Sequence, residues 1–547
     1  MAGRARDGGI PAPLAWVAGV AAVVLGAGLG ELAAGVVAPA SSPVAGVGSA
    51  LIDVAPPWAK DTAIAWFGTA DKIALVGGIA LVMLVVAALA GWLQARRPPW
   101  GVVLITVFGV AGAVVAATRP GAVPLAWLPS VVAGASGAVA LWLLLRLLRP
   151  AAAASADPSA ARSPQVGADP PDPRAFDAGE PGAGATAEGT QPPSRRAFFA
   201  WAGAAAGAGV LAVVVGSLRT TAAAGVAAAR MALRLPTPAV AASAVPQGAE
   251  LDLPGLASVV TPNDRFYRID TALVVPEVNP ADWRLRVHGM VAEELELTWD
   301  ELLALPLEES WTTLTCVSNE VGGTLIGNAR WLGHPIRELL ARARPAADAD
   351  MVLSRSIDGF TASTPLEALT DDRNAILAVG MNGEPLPLEH GFPVRMVVPG
   401  LYGYVSATKW VTDLEVTRFD RARAYWTDRG WSERGPIKLQ SRIDVPRKAQ
   451  GLKAGDVVIA GVAWHQGVGV AGVEVQIDDG PWQEATLATA ISDDTWVQWS
   501  LPWTATAGDH LLRCRATGRD GQQQTPARAP PAPDGATGWH ERFVEVF

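Results

Sequence analysis

The sequence predicts a multi-domain chain in three parts: transmembrane helices at the N-terminus, an α+β domain, then a C-terminal β-sandwich of immunoglobulin-like type. Three observations predict it. Long apolar runs with almost no charge crowd the first 220 residues or so. From about residue 255, short β-type runs alternate with helical patterns, the texture of an α+β domain. Beyond about residue 430 the pattern is wholly β, with turn signals at sandwich spacing.

Bulk properties exclude several function classes. A net charge of −9 and the absence of a Lys/Arg-rich stripe argue against a nucleic-acid partner. The only two cysteines, Cys316 and Cys514, form no CxxC pair, no haem-attachment motif and no iron–sulfur spacing. They fall in different predicted domains, so a disulfide between them is not expected.

The apolar runs at 14–38, 73–93, 100–118, 122–145 and 197–218 have the length that spans a bilayer core, and predict five transmembrane helices. The first four make a transmembrane region over 1–149. Glu31 is the one ionisable residue well inside a span; it either faces the bundle interior or marks the end of the first helix. Pro124 and Pro129 kink the fourth span unless its helix begins after Pro129. Arg4, Arg6, Arg96, Arg97, Arg146, Arg149, Arg195 and Arg196 all fall on one side if the N-terminus is cytoplasmic, with Arg119 the exception. That orientation puts the 39–70 loop and everything after residue 220 outside, so the expectation is a multi-pass protein of the cell membrane with an extracytoplasmic catalytic domain. All six histidines lie at position 288 or later, so these helices cannot by themselves hold a haem between two histidines.

Residues 150–194 are rich in Ala, Pro, Gly and Asp and predict a disordered linker. It runs into Ser194-Arg195-Arg196-Ala-Phe198-Phe199 and a helix of small residues over 195–220. This resembles a twin-arginine export signal, a route that carries folded proteins with cofactors already inserted; plain positive-inside anchoring is the alternative. A connecting segment, 221–254, leads to the α+β domain at 255–430 and the sandwich at 431–547.

In the α+β part, TALVVPE, DWRLRVHGMV, ELELTW and WTTLTCV read as strands, and WDELLALP as a short helix capped by Thr298. RWLGHPIRELLARARP reads as an amphipathic helix, PLEALTDDR as another, and GFPVRMVVPG and KWVTDLEVTRF as strands. In the last part, VVIAGVAWH, GVEVQIDDGPWQEATL, TWVQWSLPW, HLLRCRATGRDG and ERFVEVF are strands, with IDDGPW a hairpin signal. Cys514 lies on an alternating strand, which makes it structural.

The chemistry centres on TLTCVSNEVGG, residues 313–323. A thiol in such a loop is a nucleophile, a metal ligand or a small buried apolar group. No histidine-bearing protease signature surrounds Cys316, and zinc needs more ligands at recognisable spacing. Soft ligation of a metal otherwise held by a cofactor needs only one cysteine. A large anionic cofactor needs cations and close backbone approach, and 389–410, EHGFPVRMVVPGLYGYVSATKW, supplies His390, Arg395 and Lys409 on a Gly-rich segment.

Several stretches, in order, resemble the sulfite oxidase family of molybdopterin-dependent oxidoreductases, here in a membrane-anchored bacterial form. TLTCVSNE resembles that family's cysteine loop, ARWLGHPIRELL the segment after it, EHGFPVRMVVPG and ATKW its pterin-phosphate segment, and TPNDRFYRID its N-terminal active-site strand. GVAWH, SRIDVP and GWHERFVEV resemble its C-terminal dimerisation domain, which extends the resemblance over about 255–547 and implies a homodimer.

The resemblance implies a sulfite-oxidase-like molybdopterin fold, a molybdenum–molybdopterin cofactor and oxygen-atom transfer. Cys316 is then the metal ligand; His390, Arg395 and Lys409 bind pterin and phosphate; Asn263, Phe266 and Tyr267 line the cofactor; Asn319 and Arg330 add contacts. Arg268 matches an arginine near the substrate anion, and Tyr425 an active-site tyrosine. Gly469 and Val473 stand where arginines of the anion pocket are expected, so a sulfoxide-type substrate stays beside a small oxyanion such as sulfite. Electrons then pass to a separate carrier, a cytochrome or a quinone-linked membrane protein. A non-catalytic membrane receptor or assembly module that keeps the fold without the metal is the competing class.

Overall fold

The structure, a computed structural model, describes residues 10–37, 41–44, 46, 48, 71–118, 124–148, 195–218, 221–272, 274–447 and 451–547. The chain divides into two compact units, one within the first 219 residues and one dominated by 220–547. The linker expectation for 150–194 and the orientation arginines Arg4, Arg6, Arg119 and Arg149 lie outside the described residues.

In the first unit, five helices are long and apolar enough to cross a membrane: Ala12–Val37, Gly77–Arg96, Trp100–Thr118, Leu128–Leu148 and Arg196–Val215. Small residues let them approach closely, as expected where lipid removes any apolar drive for helix association. Gly19 meets the backbone of Ala87 and Gly91, Gly26 that of Ala133 and Gly137, and Gly28 that of Gly209, so Ala12–Val37 is the central helix. Pro129 does not kink the fourth span: its helix starts at Leu128, where a proline in the first turn forfeits no hydrogen bond. Glu31 accepts from Ser42 Oγ (2.7 Å) and Val44 N (3.3 Å), tying down the chain just beyond its own helix.

The second unit holds four sheets. With β1 (Arg284–Gly289), β2 (Leu295–Thr298), β5 (Met351–Ser356), β6 (Thr361–Pro365) and β10 (Val411–Thr417), the first runs β2-β1-β10-β5-β6. The second runs β3-β4-β7-β8, from β3 (Glu308–Thr315), β4 (Ile326–Pro335), β7 (Ile376–Met381) and β8 (Glu384–Pro385), with β9 (Arg395–Val397) also paired to β7. The C-terminal part is two facing sheets. One contains β11 (Gln440–Val445), β13 (Gly455–Trp464), β17 (Val497–Ala505) and β16 (Thr486–Leu487); the other β12 (Gly451–Leu452), β19 (His540–Val546), β18 (Gly508–Gly518), β14 (Val470–Ile477) and β15 (Trp482–Glu484). The IDDGPW hairpin forms as expected, pairing Gln476 with Trp482.

Local signals were realised where side chains act on neighbouring backbone. Thr298 caps the helix Trp299–Ala304 in a capping box with Glu301. Two expectations fail where tertiary pairing decides. Arg330–Pro335 is strand, not the start of a helix: β4 is sandwiched between β3 and β7, and the helix begins only at Ile336. TALVVPE forms no ladder among its described residues. The connecting segment contains an unforeseen helix, Thr221–Ala232.

The larger core gathers Trp283, Trp299 and Trp410 with Val462, Trp464 and Trp496, so the sandwich shares its core with the sheets before it. The sandwich has its own core around Ile459, Trp499 and Val473. Cys514 belongs to it. Its thiol accepts from Ser441 Oγ (3.3 Å), burial pushes its pKa up to about 12, and neither cysteine is in a disulfide.

Candidate active site around Cys316

Cys316 sits at the turn of a hairpin. β3 and β4 pair up to Thr315 opposite Ile326, and residues 316–325 form the connecting loop. Backbone bonds from Cys316 N to Leu325 O (3.0 Å) and Asn319 N to Cys316 O (3.1 Å) close it. Asn319 Oδ1 accepts from Leu325 N (2.9 Å), so this side chain braces the loop from within. The thiol is buried. Burial raises its pKa, while hydrogen bonds from Ser318 and the charge of Lys409 oppose the rise.

The stretch 261–270 lies across the base of β4. Thr261 N donates to Asn328 O (2.8 Å). Phe266 stacks on Tyr267 (centroids 5.3 Å apart) and meets Trp331 and His390 edge-on. Gly327 leaves room for that ring, since a β-carbon there would lie 2.8 Å from it. Tyr267 is buried, which raises its pKa; the Cys316 charge raises it further, and Arg395 opposes both.

His390, Arg395 and Lys409 converge from three short elements. Gly391 permits it, because a β-carbon there would press on Arg395 Cβ (3.0 Å) and Lys409 Cβ (3.1 Å). Lys409 Nζ donates to Asp270 Oδ2 and to Glu389 O, both at 2.9 Å, and Arg268 Nε reaches the same carboxylate at 3.1 Å. Burial pulls the Lys409 pKa down to about 8, against the attraction of Asp270. Arg395 is buried over the Trp331 ring (5.1 Å) and, among the described residues, bonds carbonyls alone, at 3.2 to 3.4 Å; burial pulls its pKa down to about 10. His390 is held near 3 by burial and then by Lys409 and Arg395, so it is neutral.

These residues fit an anionic pterin. His390 Nε2 faces Asn263 O (3.1 Å), which fixes the proton there and leaves Nδ1 a bare acceptor. That Nδ1 is buried and has no hydrogen-bond partner among the described residues. A buried acceptor without a donor is costly, and a pterin N–H or amino group supplies one. Three cations, Arg268, Arg395 and Lys409, against one carboxylate, Asp270, leave two positive charges, which suits a phosphate.

The other expected residues divide. Asn263 is bound at both ends, its side chain to Met381 O, Glu384 and Asn382. Arg330 lies on the opposite face of β4 from Trp331, paired with Glu309 (3.4 Å) and near the Trp311 ring. Tyr425 packs against Phe360 and Trp426 under Arg429, and none of these belongs to the Cys316 loop. Val473 points into the sandwich core, and Gly469 lies beneath the Asp493–Arg519 ion pair.

Sequence reasoning missed four residues. Asp270 was inside a quoted stretch, two positions from Arg268, but nothing local marks it as the partner of Lys409. Tyr402 senses the Cys316 charge after burial has pushed it up to about 12. From the sandwich, Arg442 donates to Gly323 O (2.8 Å) while paired with Asp444 (2.6 Å), and the His540 ring fills the space beside Gly322. Two residues of the sandwich, Arg442 and His540, thus hold the turn that follows Cys316.

Comparison with known proteins bears on the same region. The family model described as an oxidoreductase molybdopterin binding domain matches residues 272–426. An uncharacterized oxidoreductase of Bacillus subtilis, YuiH, is 32% identical over 153 residues, covering 28% of this chain and 74% of that protein. Mitochondrial sulfite oxidase of Rattus norvegicus is 32% identical over 273 residues, covering 42% of this chain and 50% of that protein. The human enzyme is 31% identical over 306 residues, covering 47% and 56%. The chain belongs to the sulfite oxidase family of molybdopterin oxidoreductases. It spans about half the length of the sulfite oxidases it matches. For a member of this family the cofactor is molybdopterin, and the buried, neutral His390 and its neighbouring cations are chemically suited to it.

Proposed function

We propose that this chain is a membrane-anchored oxidoreductase that transfers an oxygen atom at molybdenum, with its site outside the cytoplasm. The observation that carries the reading is the convergence of His390, Arg395 and Lys409 about Gly391, near enough to the buried Cys316 thiol for the Lys409 charge to act on it, in a chain of this family. Bound there, the molybdenum–molybdopterin cofactor supplies two-electron oxygen-atom transfer.

The chain supplies the rest. Cys316 would be the metal's soft ligand as the thiolate, a form that the Lys409 charge and the Ser318 bonds favour. His390 accepts from the pterin at Nδ1, and Arg395 and Lys409 neutralise its phosphate. Asn263, Phe266, Tyr267 and Asn319 shape the walls and exclude water. Arg268, about one-third exposed, stands at the mouth, where it attracts a small anion. The electrons leave to a separate carrier, a cytochrome or a quinone-linked membrane protein. The two facing C-terminal sheets suit the family's dimerisation role. The five apolar helices and Arg196 at the start of the fifth support membrane anchoring by the twin-arginine route.

Sulfite is the substrate favoured by the named relatives. A neutral sulfoxide is the second reading. It is favoured by Asp270, which offsets Arg268. The test is molybdenum and pterin content of the purified full chain, with sulfite oxidation and sulfoxide reduction assayed side by side. A folded protein with neither molybdenum nor pterin would remove the enzyme reading; turnover of one substrate only would choose the branch.

A further inference from the structure

We propose that the helix Thr221–Ala232 is a retaining clamp on the cofactor segment and that Arg230 is its positioning residue. The inference rests on the cofactor reading of the site.

Arg230 grips one turn. Its Nε donates to Leu386 O (2.7 Å), and one terminal nitrogen donates to Pro385 O (2.7 Å) and to Glu384 Oε2 (3.1 Å). The planar guanidinium can satisfy a carbonyl pair and a carboxylate at once, which an ammonium cannot match. The gripped turn leads directly into the short helical turn Leu388–His390. The other oxygen of the same carboxylate, Glu384 Oε1, accepts from Asn263 Nδ2 (2.5 Å). Asn263 in turn gives its main-chain oxygen to His390 Nε2 (3.1 Å). A continuous path, Arg230 to Glu384 to Asn263 to His390, therefore ends on the ring whose free nitrogen faces the cofactor.

Packing follows the same route. Val226, one turn earlier on the helix, is buried in an apolar cluster with Phe266, Trp331 and Phe392. The helix thus bears on both walls of the pocket: on the Phe266 side through the apolar cluster it shares, and on the 384–390 turn through Arg230. The path ends on His390 and not on Cys316, so its effect is on how long the pterin stays. Both walls must part for the pterin to leave, and the clamp resists that parting.

The full chain, purified in detergent with its cofactor, provides the test. Bound pterin is followed by the fluorescence of its oxidised form after release into buffer, and the melting temperature of the cofactor-free protein is measured in parallel. Arg230→Ala is expected to release pterin about tenfold faster, the order of effect of losing hydrogen bonds from a charged group. Glu384→Gln keeps the turn and an amide for Asn263 but removes the charge from Arg230, and is expected to fall between wild type and Arg230→Ala; it carries the test if Arg230→Ala does not fold. Release within twofold of wild type in a folded variant overturns the clamp. So does faster release that a control variant of equal melting temperature, altered far from the site, reproduces. A wild-type protein with no pterin at all is a different result, and refutes the cofactor reading itself.

Discussion

Replacing Gly322 by alanine tests how the sandwich holds the Cys316 loop. Gly322 has φ +77°, a left-handed conformation that costs an L-residue about 1–2 kcal/mol. The added methyl also falls well inside the His540 ring. That ring cannot swing aside freely, because its Nδ1 accepts from Ile443 N (2.9 Å) within β19 and β11. Overpacking of this kind costs about 1–3 kcal/mol, so the two effects together come to about 2–5 kcal/mol. The loop is the softer side of the contact. Arg442 to Gly323 O and Asn319 to Leu325 N are its remaining holds, and yielding there displaces Cys316. The assay is a tryptophan-fluorescence melt of the full chain in detergent, with molybdenum per chain measured on the same sample. At about 2–4 °C per kcal/mol for a domain of this class, the melt should fall by at least about 4 °C and the metal content should fall with it. Gly467→Ala is the control: its φ is +75°, but nothing lies within 4 Å of the new methyl, so it pays only the backbone cost and keeps its metal. If Gly322→Ala is no worse than Gly467→Ala, the packing of His540 against the loop does not matter and the reasoning fails.

Cys316→Ser should fold and lose molybdenum by at least about tenfold, since a hard oxygen replaces a soft sulfur in a site that otherwise keeps its shape; unchanged metal content would reassign the ligand. Asp270→Ala strips the buried Lys409 ammonium of its carboxylate and should destabilise the protein by about 3–5 kcal/mol, read as a lower melt, with weaker pterin retention alongside. His510 places Nδ1 against Asp478 (2.8 Å) and Nε2 against Thr506 O (2.9 Å), two acceptors that require the imidazolium. The Asp478 hydrogen bond raises its pKa above the usual 6.5, so the contact stabilises fully below that value and is lost as pH rises through the raised one. A histidine NMR titration should show a midpoint above 6.5 that drops in Asp478→Asn; a normal midpoint in the wild type would contradict the pairing.

What was legible in the sequence follows from the range of each interaction. The capping box of Thr298 and Glu301 acts across three residues, and the IDDGPW turn across six, so both could be read from the chain. The apolar helices were legible because a bilayer-long run is a property of one segment. Arg330–Pro335 was misread because its strand state comes from β3 and β7 on either side, not from its own pattern. Val473 looked like a vacancy in an anion pocket. Only its direction, into the sandwich core, shows that no arginine belongs there.

The sequence by itself determined the chemistry on offer: one candidate thiol, one histidine and two cations on a Gly-rich segment, in an order that resembles a known family. These are side-chain identities, and identity does not depend on folding. The tertiary structure decided which groups face one another and in what state. It joined Asp270 to Lys409 across 139 residues, left His390 Nδ1 without a donor, and brought Arg442 and His540 against the turn behind Cys316. It also turned an unremarked connecting segment into a helix that grips the cofactor wall. Burial lowers the pKa of His390, Lys409 and His540, and burial is a property of the packed chain alone.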